Sequence, residues 1–158
     1  MSRVTPNNFL IKGLVAYYGL LQFFHLLALI RSFLSLAAGK RLGFPAMPPI
    51  SGWSIQAQYF LIGMGFIDAV NVLLALVFVY SFFKMEKWWL SMGLVSLTAA
   101  ICSAWIFGFG TVLSGAWSNH PLAYGVMVFL FSPVIILFII HIFWCIKGRF
   151  SWVERNWL

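Results

Sequence analysis

Four long apolar stretches, separated by short polar interruptions, organise the chain. They cover residues 9–36, 55–83, 88–113 and 121–146. A membrane-spanning helix needs ~20 mostly apolar residues, and each stretch is long enough. The runs are continuous, whereas the strands of a transmembrane barrel are short and alternate. The expected fold is therefore an all-α integral membrane protein: a four-transmembrane-helix antiparallel bundle, one domain over residues 1–158 with no separate soluble unit. The interruptions are a proline-rich loop at 37–54, a tight "KMEK" turn, the "SGAWSNHP" loop and a short tail at 147–158. Pro121 suits the first turn of the last helix, with Ser118 or Asn119 as its cap. The first run extends without a charge from Lys12 to Arg31. That exceeds the ~7–15-residue core of a signal peptide. It reads as a retained span, with cleavage near "SLAAGK" as the alternative.

Polar residues inside these runs form a second pattern. Tyr18, Gln22, His25, Leu29 and Ser32 follow 4-3-4-3 spacing, which puts them on one face of the first helix. Asp68 and Asn71 are three apart and share a face of the second. At 1.5 Å per residue from Lys12, Lys84, Lys87 and Lys147, the side chains of His25, Asp68, Asn71, Ser103 and Ser132 all fall roughly 20–24 Å deep. Each helix thus contributes a polar group to one layer. Polar groups facing lipid are costly, so this layer should point into the bundle. Asp68 is expected to pair with His25 or with Arg31, the latter snorkelling toward the surface. Asn71 and Ser103 are expected to be interhelical hydrogen-bond partners. An intramembrane acid is also a functional candidate. The ligand-binding or ion-pair candidates are accordingly Asp68, His25, Arg31, Asn71, Gln22 and Ser103.

A third pattern is small residues. Ser96, Ala100, Ala104 and Gly108 recur every fourth position of the third run. Such a stripe lets helix backbones approach closely, the main source of packing energy in lipid. In the fourth run, Pro133 deprives the carbonyl of Phe129 of its usual donor, so a kink is expected there. The Ser132 hydroxyl is the nearest substitute donor.

Composition agrees: 63% of the residues are hydrophobic and 8% charged, outside the range of ordinary soluble domains. In a soluble protein the net charge of +7 would point to nucleic acid, but its distribution here argues for topology. Arg3, Lys12, Lys84, Lys87, Lys147, Arg149 and Arg155 flank one set of span ends, against Lys40 and Arg41 at the other. Cytoplasmic flanks collect Lys and Arg, so both termini are expected on the cytoplasmic side of a bacterial inner membrane or a eukaryotic organelle membrane. No basic run suggests a nucleic-acid site. Trp53, Trp88, Trp89, Trp117, Trp144, Trp152 and Trp157 fall at span ends, where the indole meets the interface. The tail is expected to lie along the membrane surface or dock on a partner. The first loop, with Pro45, Pro48 and Pro49, reads as extended chain and as a lid or docking surface.

No cofactor or metal is expected. Cys102 and Cys145 differ in depth by roughly 20 Å, beyond disulfide reach, and read as buried free thiols. His25 and His141 differ in depth too much to ligate one haem. No EXXH or HEXXH spacing suggests a metal, and no motif surrounds a nucleophilic serine.

The elements "FFHLL", "MPPISGW", "FID" and "FSPVIILF" occur in an order that resembles the EXPERA family, which includes sterol isomerases and the sigma-2 receptor. The resemblance implies a lipophilic ligand in the bundle with Asp68 as its counter-ion. The acid that family carries at the end of its first helix is replaced here by Ser32, beside Arg31. Three functions compete. The first is a non-catalytic structural or accessory subunit of a larger membrane complex, meeting other membrane subunits or copies of itself. The second is a binder or isomerase of an apolar, sterol- or lipid-like small molecule at Asp68 and His25. The third is an oligomeric transporter protomer with Asp68 coupling protons.

Overall fold

The computed structural model describes residues 9–40 and 46–157, with side chains to residue 147. Arg3, Arg41 and Pro45 lie outside the described residues, as do the side chains of Arg149, Trp152, Arg155 and Trp157. The elements are α1 (Phe9–Ala37), α2 (Ile55–Phe83), α3 (Trp89–Leu113), a single-turn α4 (Ala116–Asn119) and α5 (Pro121–Trp157). Four helices are long and apolar enough to cross a membrane: Phe9–Ala37, Ile55–Phe83, Trp89–Leu113 and Pro121–Lys147. No strand occurs among the described residues.

The four long helices pack in a ring, α1 on α2, α2 on α3, α3 on α5 and α5 back on α1. The shared core is Val15, Tyr18, Ala75, Phe78, Phe82, Leu97, Ala100, Val134 and Leu137. Of the polar face read on α1, Tyr18, Gln22 and Leu29 are buried, while His25 and Ser32 are half-buried. The tail forms no separate segment, because α5 runs on to Trp157. Between Lys147 and Trp157 the sequence holds one glycine and no proline, and a lone glycine costs a helix only ~1 kcal/mol. Neither cysteine forms a disulfide, and neither is buried: Cys102 is exposed on α3 and Cys145 half-buried on α5.

Chain reversals explain the helix ends. After α1, Gly39 adopts φ 70°, with Lys40 N–H donating to Ser35 and Gly39 N–H to Leu36. This pattern closes a helix by a left-handed residue, normally glycine. After α2 the same two bonds recur, from Glu86 to Ser81 and from Met85 to Phe82, but the left-handed position is Met85, at φ 53°. A side chain there costs roughly 1–2 kcal/mol, against roughly 0.5–1 kcal/mol of extra chain entropy lost by glycine. Met85→Gly is therefore expected to stabilise the protein by about 0.5–1 kcal/mol, readable as a raised thermal midpoint in detergent.

The first loop is tied to the ends of α4 and α5. Trp53 donates its indole N–H to Ala46 O at 3.0 Å, Asn119 its amide to Pro48 O at 3.1 Å, and Tyr124 its hydroxyl to Met47 O at 2.7 Å. The loop is thus ordered at residues 46–53. Asn119 is spent on the loop and not on capping the last helix, and residues 116–119 form their own turn of helix.

The fourfold stripe of α3 is only partly a packing seam. Ser96 and Ala100 are buried, Ala104 and Gly108 half-buried, and a methyl group added at Gly108 would meet open space. A four-residue step advances about 40° beyond a full helical turn, so the stripe drifts off the contact face. The face that packs follows mixed spacing instead: Gly93, Ser96, Leu97, Ala100 and Ser103.

Candidate functional site

The polar layer assembles around Asp68. Its Oδ2 lies 3.4 Å from His25 Nε2, and its Oδ1 accepts a short hydrogen bond from the Ser103 hydroxyl. Three helices, α1, α2 and α3, are thereby joined through one carboxylate. Asn71, one turn further along α2, is buried and reaches Ala99 O of α3 at 3.5 Å. Nearer the α2–α3 turn, Tyr18 of α1 shares a 2.9 Å hydroxyl contact with Ser96 of α3, across the ring. Gln22 is buried on the same face of α1.

Arg31 does not join this group. It is exposed on α1 and lines a groove with Leu27, Ile30, Leu34, Ser35 and Lys40. Asp68 contacts His25 instead. Arg31 is adjacent to Ser32 but about 100° away around the helix, off the inward face. Ser132 also stays apart. Its hydroxyl donates to Phe129 O at 2.8 Å, supplying the bond that Pro133 removes. The Tyr17 hydroxyl of α1 donates to the neighbouring Leu130 O at 2.5 Å, so the proline notch becomes a contact between α1 and α5.

The chemistry open to the His25–Asp68–Ser103 chain follows from its order. In a nucleophilic triad the imidazole stands between serine and carboxylate. Here the carboxylate stands in the middle, and the group in contact with Ser103 is not the imidazole. The arrangement joins α1, α2 and α3 at one polar centre. No cluster of three or more His, Cys, Asp or Glu side chains occurs among the described residues.

A second polar element escaped the sequence reading. His141 of α5 is fully buried among Phe78, Trp89 and Trp144, and its Nε2–H donates to Leu90 O of α3 at 2.6 Å. Nδ1 is then a buried acceptor without a partner. Gly93 makes this possible, since a Cβ there would collide with the His141 ring and with Phe78. The available signal was Gly93 itself, one helical turn before Ser96 on the inward face.

No family model, curated protein or solved structure matches the chain. The EXPERA-like order therefore rests on its four short sequence elements alone.

Proposed function

We propose that the protein is a non-catalytic accessory subunit of a larger membrane complex, presenting the His25–Asp68 pair to a partner helix. Its four helices are those of a multi-pass membrane protein. The observation that supports the subunit reading is exposure. His25 keeps 33% and Asp68 17% of its side-chain surface open, although both sit far inside spanning helices. Polar surface facing hydrocarbon is costly, so a polar group of another molecule is expected to cover it. Both carboxylate oxygens are already engaged within the chain, which favours a structural role over a reactive one. Extraction in a mild detergent tests this: a defined hetero-complex should be retained, whereas a monomer carrying a tightly held sterol or lipid would favour the small-molecule reading.

The antiparallel arrangement and the sidedness of the termini belong to the same proposal. Support comes from the first loop meeting α4 and α5 at one end, and from the basic residues at the other. Cysteines introduced at Ser2 and Asn156 are expected to resist an impermeant thiol reagent in intact membranes, while one at Ser51 reacts. Labelling of either terminus from outside would reverse the topology.

A further inference from the structure

Arg31 and Lys40 border one shallow groove with Leu27, Ile30, Leu34 and Ser35. All belong to α1 or to the turn that follows it, so the groove lies on the outer surface of one helix. Its side of α1 is not the side that meets Asp68. The step from His25 to Leu34 is about two and a half helical turns, which sets Leu34 opposite His25. Leu27, Ile30 and Leu34 are exposed along this strip, and Arg31 is exposed among them. Arg31 also stands ~9 Å below Ala37, the last residue of α1, so its charge starts inside the apolar span.

A guanidinium at that depth needs an anion. The acids of the chain are Asp68, Glu86 and Glu154. Asp68 is engaged by His25 and Ser103 on the other side of α1, Glu86 lies in the α2–α3 turn, and Glu154 is near the end of α5 away from the first loop. Among the described residues no acid lines the groove. From this geometry we infer that the groove binds one anionic phospholipid, with its phosphate on Arg31 and Lys40 and an acyl chain on Leu27, Ile30 and Leu34. Arginine offers phosphate a planar fork of donors, and lysine a compact charge. Ser35 adds a hydroxyl donor. Arg31 snorkels toward the headgroups while its stem stays on the aliphatic strip. A zwitterionic headgroup would present as much positive as negative charge to two cations with no acid between them, whereas a net negative headgroup is attracted. An acidic side chain of a protein partner would have to be carried into hydrocarbon to reach the same place, at a cost the headgroup does not incur.

Native mass spectrometry of the detergent-solubilised protein tests this, by titration with phosphatidylglycerol, phosphatidylcholine and diacylglycerol of the same acyl chains. One phosphatidylglycerol is expected to bind more tightly than phosphatidylcholine, and diacylglycerol, which lacks the phosphate, most weakly. A basic residue near anionic lipid contributes roughly fivefold in affinity, so Arg31→Gln and Lys40→Gln should each weaken phosphatidylglycerol roughly fivefold and together roughly thirtyfold. The double variant should also lose the preference over phosphatidylcholine. Both residues are exposed, so unchanged melting serves as the check on folding. Lys84→Gln with Lys87→Gln removes as much charge at the α2–α3 turn and should keep the preference. Equal affinity of the parent for the two phospholipids would overturn the site. So would an equal loss in the Lys84 and Lys87 variant, which would mean charge without a site. A double Arg31 and Lys40 variant that binds phosphatidylglycerol as the parent does would overturn it too, leaving the lipid at Asp68 or Arg31 to an acidic partner.

Discussion

Gly93→Ala is expected to damage the protein more than any other single added methyl group. The new Cβ meets the His141 ring and Phe78, both fully buried, so neither has free space to enter. Overpacking of this kind costs about 1–3 kcal/mol. Displacing His141 from Leu90 O leaves a buried donor unsatisfied, adding about 1–3 kcal/mol. Alanine regains about 1 kcal/mol of helix propensity, leaving a net loss of about 3 kcal/mol. Gly108→Ala supplies the control on the same helix. Its methyl group meets nothing within contact distance, so only the propensity gain remains and the sign reverses. Thermal melting of both variants in one detergent checks the pair. Equal melting would mean that α3 and α5 do not approach at Gly93.

The second large effect is expected at Asp68. Asp68→Leu removes the acceptor of Ser103 and the partner of His25 together. Interhelical hydrogen bonds in membranes contribute about 0.6–1.7 kcal/mol each, so a loss of about 2 kcal/mol is expected. His25→Leu alone should cost about 1 kcal/mol. The double variant should lose less than the sum, because removing one partner strands the other. Arg31→Gln should stay within about 0.5 kcal/mol and add independently, since Arg31 is exposed and apart from the pair. Asp68→Asn refines the result. It keeps an acceptor for Ser103 and offers a donor to His25, so it isolates the contribution of charge. Additive losses at Asp68 and His25 would contradict the pairing.

The spans were legible because length and continuity of apolar residues suffice to fix them. The meeting of His25, Asp68 and Ser103 was legible for a related reason, since depth follows from counting, whereas Ser132 at the same depth stays apart on its own helix. Rotation about each helix was less so. By charge Arg31, about one turn higher, reads as the stronger counter-ion for Asp68 and His25 as the alternative; the 4-3-4-3 face that holds His25 but skips Arg31 decides between them. The stripe on α3 is a seam only in its first half for the same geometric reason, since a fixed step of four precesses and only Ser96 and Ala100 are buried. His141 was weighed as a haem ligand and rejected on depth, but its seat on Gly93 is a contact between α5 and α3 that neither local sequence displays. Asn119 looked like a cap because it precedes Pro121; its bond to Pro48 joins residues 71 apart in sequence.

Photo-crosslinking in intact membranes tests most directly whether another protein covers the His25–Asp68 pair. Phe24 and Ile67 are exposed immediately beside the two residues, and Phe129 is exposed on α5. A photoreactive residue at Phe24 or Ile67 is expected to yield one discrete adduct with a second polypeptide, while one at Phe129 yields lipid adducts. Lipid adducts alone from Phe24 and Ile67 would contradict the account.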